Sequence, residues 1–111
     1  MAIILKTTTP DKLLATFKKA IDENHISTWS NDKDRDFTHT PDQWKNKAWL
    51  RPHTKVGQLV FTIINQKDTK ISSLLYAVYH GRFIESMLLH CDTLFSDGSA
   101  TALPTSEDRI S

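Results

Sequence analysis

Between Ile71 and Phe95 the chain reads ISSLLYAVYHGRFIESMLLHCDTLF, a run without proline that is rich in large apolar side chains. Such a stretch predicts one long helix, bent at Gly81 or broken at Tyr79-His80-Gly81 into two shorter ones. Helical spacing groups Leu74, Leu75 and Val78, and separately Ile84, Leu88 and Cys91 with Phe83 and Met87 on their flank. The two groups do not share one stripe, so apolar residues reach most sides of the rod. A helix of this kind needs cover on more than one side. A sheet with a loop or second helix supplies it in one reading; a second copy of the chain supplies it in the other. Arg82, Glu85 and Ser86 fall within one turn and mark the wettest face. Gly81 costs about 1 kcal/mol relative to alanine in a helix interior, which the close approach of another backbone would explain.

The rest of the chain supplies what this helix packs on. Ile3, Ile4 and Leu5, within 2–8, predict a strand buried on both faces. Thr9-Pro10-Asp11 reads as a helix start, with Thr9 as the cap oxygen, and Leu13, Leu14, Phe17, Ala20 and Ile21 form one stripe. That helix ends near Asn24, which tolerates the left-handed conformation. Residues 26–31 and 36–40 predict a hairpin across the charged turn 32–35. Thr40-Pro41-Asp42-Gln43 starts a short helical turn through Asn46. Residues 47–51 form a strand that Pro52 ends or places at an edge, and 56–65 are the strongest strand. Asp97-Gly98 is a turn before a last edge strand over 99–103. The expected order is β-α-β-β-(short α)-β-β-α-β. This is an α+β fold, a mostly antiparallel sheet of four to five strands with two main helices. Residues 1–103 make a single domain and 104–111 a flexible tail.

Composition narrows the function classes. With 39% hydrophobic and 24% charged residues the chain reads as globular, and a net charge of +1 provides no field to attract nucleic acid or a membrane. The single cysteine, Cys91, forbids an internal disulfide. No apolar run approaches a membrane span and the N-terminal residues lack a secretion pattern, so a cytoplasmic protein is expected.

Chemical motifs are sparse. Asp32, Asp34 and Asp36 alternate like the opening of a calcium loop, but Phe37 and Gln43 stand where glycine and glutamate are required. None of His25, His39, His53, His80 and His90 are spaced i, i+4, and no zinc pattern accompanies Cys91, so neither a metal nor a cofactor is expected. General-base chemistry would have to use His39 with Asp36, or His80 with Glu85, in a small hydrolase or nuclease. In 37–52, FTHTPDQWKNKAWLRP, an extended strand puts Lys47, Trp49 and Arg51 on one face. A tryptophan between two cations suits stacking on a ring or, weakly, on single-stranded nucleic acid through 44–51. The simpler alternative is that the cationic stems cover a half-buried ring. Trp29 and Trp44 read as core. The candidate ligand or partner residues are therefore His39, Trp44, Lys47, Trp49, Arg51, His80, Arg82 and Glu85.

The segments TWSNDKDRDFTHTPDQW, KAWLRP and YAVYHGRFIESML resemble small uncharacterised bacterial proteins carried on mobile integron gene cassettes. The resemblance runs from Thr28 to about Pro104. It implies a bacterial source, a compact α+β fold and often a homodimer, and brings no catalytic residues. The combined expectation is a small binding or interaction module, homodimeric, without assignable catalysis, whose partner is a small molecule or a protein.

Overall fold

Thr9-Pro10-Asp11 begins helix α1 (Pro10–Asp22) where expected, but its cap differs. The Thr9 side chain makes no cap bond; instead the Thr9 amide donates to Thr7 Oγ1, and that hydroxyl donates to the Leu94 carbonyl. At the other end Asn24 takes the left-handed conformation (φ 64°), and the amides of Asn24 and His25 return to the carbonyls of Ile21 and Ala20. These contacts were obtained from a computed structural model, which describes residues 2–33, 35–67 and 69–103.

The remaining elements are β1 (Ala2–Lys6), β2 (Trp29–Asn31), β3 (Phe37–His39), β4 (Ala48–Lys55), β5 (Gln58–Asn65), α2 (Ser73–Cys91) and β6 (Asp97–Ala100). The strands form one antiparallel sheet in the order β2-β3-β4-β5-β1-β6. This is an α+β arrangement, with six strands where four to five were expected. β1 is interior, between β5 and β6. The last strand is Asp97–Ala100 rather than 99–103, so Asp97 and Gly98 pair with Lys6 and Leu5 instead of turning.

Pro52 does not end its strand. β4 continues to Lys55 and pairs with β5 throughout, while β3 reaches only as far as Leu50. Beyond Leu50 that side of β4 is an edge, where a residue without N–H breaks no ladder bond. The β4–β5 turn is Val56-Gly57, and Gly57 (φ 77°) supplies its left-handed residue. Residues 41–46 form turns rather than a helix: the amides of Trp44 and Lys45 both reach the Pro41 carbonyl, and Asn46 (φ 58°) redirects the chain into β4.

Alternation along the strands decides what is buried. Ile3 and Leu5, Leu50, and Leu59, Phe61 and Ile63 point to one side and are fully buried against both helices. From α1 come Leu13 and Phe17; from α2 come Tyr76, Tyr79, Phe83, Met87 and Cys91. The aromatic residues concentrate at Phe83, whose ring centre lies 4.5 Å from Phe61, 5.0 Å from Trp29 and 5.1 Å from Phe17. The far side of the sheet carries Ile4, Trp49, Arg51, His53, Val60, Thr62 and Ile64; both described helices pack on the opposite side, and Val60 and Thr62 are buried all the same.

Helix α2 is unbroken at Gly81, capped at its start by Ser72, whose Oγ accepts from the Leu75 amide. It is shorter than 71–95, ending at Cys91. Its buried face is Tyr76, Tyr79, His80, Phe83, Ser86, Met87 and Cys91. Ser86 therefore lies inward, against the expected wet face. Leu74 and Leu88, expected among the covered residues, lie outward at 64% and 55% exposure.

Gly81 is exposed, and a Cβ built on it meets nothing within 4 Å. Nothing among the described residues accounts for it. Replacing it with alanine removes the backbone-entropy penalty without a clash, so Gly81→Ala should stabilise the isolated chain by about 1 kcal/mol. Urea denaturation at submicromolar concentration measures this; a loss of stability would show an internal contact at Gly81.

Candidate functional site

The residues singled out in the sequence fall in three separate places. The first is the side of the sheet away from the helices, where Trp49 is half-buried opposite Ile64. Arg51 reaches Asp36 with a bidentate grip, Nε to Oδ1 at 2.9 Å and Nη2 to Oδ2 at 2.8 Å. That carboxylate is buried (5% exposed), so the guanidinium is held in the fold and does not flank Trp49 as a stacking cation. Lys47 lies exposed just before β4, outside the alternation that would align it with Trp49.

The second place is the cluster where α2 meets β2 and β3. His39 is buried, its ring centre 4.7 Å from that of Trp29 and 6.2 Å from that of Tyr79. Its Nδ1 lies 2.7 Å from the Thr28 carbonyl, which can only accept, so Nδ1 carries the proton. The Tyr79 hydroxyl donates to the Trp44 carbonyl and lies 2.9 Å from Thr38 Oγ1, tying the 41–46 turns to α2. Burial pushes the Tyr79 phenol above its ordinary range. His80 is also buried, and its Nδ1 donates to the Tyr76 carbonyl one turn back at 2.7 Å. Trp44 is half-buried and packs on the core. These are packed, largely satisfied groups rather than a set aimed at a substrate.

Burial lowers the His39 pKa below 6.5; Arg82 lowers it further, while the Thr28 bond and Glu85 act the other way. The folded state thus holds the imidazole neutral, whereas the unfolded chain titrates at its ordinary value. Well above pH 6.5 neither state is protonated and the group has no effect. Below it the unfolded state takes up protons first, so stability falls with falling pH until the folded pKa is passed. Thermal melts from pH 7.5 to 5 should show this decline, and His39→Gln should flatten it. An unchanged slope in that variant would assign the decline elsewhere.

The third place is the outward face of α2. At about 100° per residue, Leu74, Ala77, Val78, Gly81, Ile84, Glu85, Leu88 and Leu89 lie on one side of the helix with Gly81 at its middle. Leu89 is 73% exposed, Leu74 and Leu88 more than half exposed, and Val78 and Ile84 half-buried. Two shallow grooves adjoin at Gly81, one lined by Ile84, Glu85, Leu88 and Leu89, the other by Ala77, Val78, Arg82 and Glu85. Arg82 and Glu85 pair across the edge of this surface at 3.5 Å, both side chains mostly exposed. Such a bridge contributes at most a few tenths of a kcal/mol in water, about 0.3.

Arg82 and Glu85 are the sequence candidates that belong here. Ala77, Gly81 and Leu89 were not among them. Their signal was the spacing Leu74, Ala77, Gly81, Ile84, Leu88, alternate steps of three and four that mark a helix–helix seam.

Elsewhere the surface holds less. A cleft between α1 and the open edge of β4 is lined by Lys18, Arg35 and Arg51, with Asp11 opposing them. Among the described residues no group of three or more His, Cys, Asp or Glu could hold a metal ion. Burial, with Asp92 alongside, pushes the Cys91 thiol up, away from nucleophilic chemistry. No helix among the described residues is long and apolar enough to cross a membrane. No protein-family model matches the chain, and neither a curated protein nor a solved structure does.

Proposed function

We propose that this chain is a small interaction module that works as a homodimer, with the outward face of α2 as its working surface. One observation carries the reading: a helix whose inner side is wholly packed exposes Leu74, Leu88 and Leu89 outward, around a glycine the monomer does not need. A contiguous apolar patch on an otherwise charged surface marks an association site. The mixed rim of Arg82 and Glu85 suits a partner that is itself close to neutral, as this chain is at +1.

A hydrolase or nuclease built on His39 or His80 gains no support from a buried His39 on β3 and a His80 on the inner face of α2, each with its Nδ1 proton committed to a backbone carbonyl. Binding of single-stranded nucleic acid through 44–51 gains none either, because Arg51 is held by Asp36 and Trp44 packs on the core.

Sedimentation velocity tests the proposal. The native chain should sediment as a dimer at tens of micromolar. Leu88→Asp puts a charge in the middle of the seam, without touching the core, and should weaken association at least about 30-fold, or about 2 kcal/mol. A monomer throughout, or a dimer indifferent to Leu88→Asp, would remove the α2 surface from the account.

A further inference from the structure

We infer that two copies pair through α2 in one antiparallel register, in which Arg82 of each copy faces Glu85 of the other. The inference rests on the proposed homodimer and goes on to fix how its two helices meet. Charge complementarity constrains a patch that must match itself. In a two-fold pair each contact occurs twice, with the roles exchanged, so a patch with one cation and one anion is satisfied when each meets the other's opposite. On α2 these are Arg82 and Glu85, 59% and 66% exposed on the same flank as Val78 and Leu89.

The register follows from that single requirement. If Arg82 opposes the second copy's Glu85 in an antiparallel pair, the symmetry point falls between Phe83 and Ile84. Val78 and Leu89 are placed symmetrically about the same point, so the two remaining apolar residues of that flank oppose each other without further adjustment. Ile84 then lies beside its own counterpart. Gly81 sits at the height between the second copy's Ile84 and Leu88, where the missing side chain leaves a hole for theirs. A parallel pair would instead set this flank of the two copies on opposite sides of the seam, so neither charge would meet its opposite. The register thus uses the charge pair, exposed Leu89 and the glycine together, and exchanges the two internal Arg82–Glu85 bridges for two between copies.

Disulfide trapping reads the register. In the antiparallel pair a cysteine at 78 meets one at 89 on the other copy, while two cysteines at 78 stand about 16 Å apart along the helix. Val78→Cys and Leu89→Cys chains are prepared singly, then mixed, and oxidised with copper phenanthroline. Wild type, with its buried Cys91, serves as the blank. The expected result is a covalent dimer in the mixture at least tenfold above either single variant. In parallel, Arg82→Glu and Glu85→Arg should each weaken the dimer severalfold in sedimentation, and the two together should restore it. Self-crosslinking of Leu89→Cys alone would overturn the register. A native dimer with no crosslink in any sample, and no effect of charge reversal, would overturn it while leaving self-association standing. A native chain that stays monomeric would overturn the homodimer itself.

Discussion

Phe83→Ala should cost this protein about 3–5 kcal/mol, close to the whole stability of a small domain. The ring is fully buried and lies where the sheet, α1 and α2 meet, in contact with Phe17, Trp29 and Phe61. Removing it opens a void that three other rings border and cannot collapse to fill. Urea denaturation followed by tryptophan fluorescence should show a midpoint near zero denaturant, or no folded baseline. Leu88→Ala on the same helix, with its side chain 55% exposed, should change stability by less than about 0.5 kcal/mol. If the two substitutions cost the same, the assignment of inner and outer faces is wrong.

The second large effect is expected at Arg51. Arg51→Met keeps the apolar stem but leaves the Asp36 carboxylate buried without its bidentate partner. Stranding a charge fully inside a protein costs about 3–5 kcal/mol. The Arg51 side chain is 34% exposed and water can enter its place, so about 2 kcal/mol is expected here. The pair also joins β4 to the chain just before β3, so the loss should loosen the β2–β3 hairpin first. Adding Asp36→Leu should recover much of the cost, because the stranded charge is then gone. Denaturation of the two single variants and the double variant measures the coupling; strict additivity would mean that the grip contributes little.

Much of the fold was legible in local sequence signals. Proline at the start of α1, Asn24 at its end, the β2–β3 hairpin and the strong strand before Asn65 were all carried by residues whose local preferences agree with their tertiary surroundings. β6 was placed two residues late because Asp97–Ala100 has little strand preference. All four of its residues are exposed, and pairing with β1 is what makes them a strand. Pro52 looked like a terminus because the extent of β3, which makes that stretch of β4 an edge, is a long-range fact.

The candidate site was legible in part. Arg82 and Glu85 were found as charges, but Leu74, Val78 and Leu88 were read as parts of a covered surface. An apolar residue on α2 carries no local mark of the side it faces. Only the positions of Tyr79 and Phe83, set by the aromatic core, reveal which leucines are left outside. Trp49 misled for the opposite reason: its neighbour Arg51 was an evident cation in the sequence, and the partner of that cation, Asp36, lay 15 residues away beside the neighbouring strand β3.

In the proposed dimer the outward face of α2 is covered by the same face of a second chain. An isotope-filtered NOE spectrum tests it most directly, on a mixture of labelled and unlabelled chains at dimeric concentration. The account predicts cross-chain contacts from Val78 to Leu89 methyls and at the Ile84 methyls. Cross-chain contacts at Trp49 and Ile64 instead, or none at all, would contradict it.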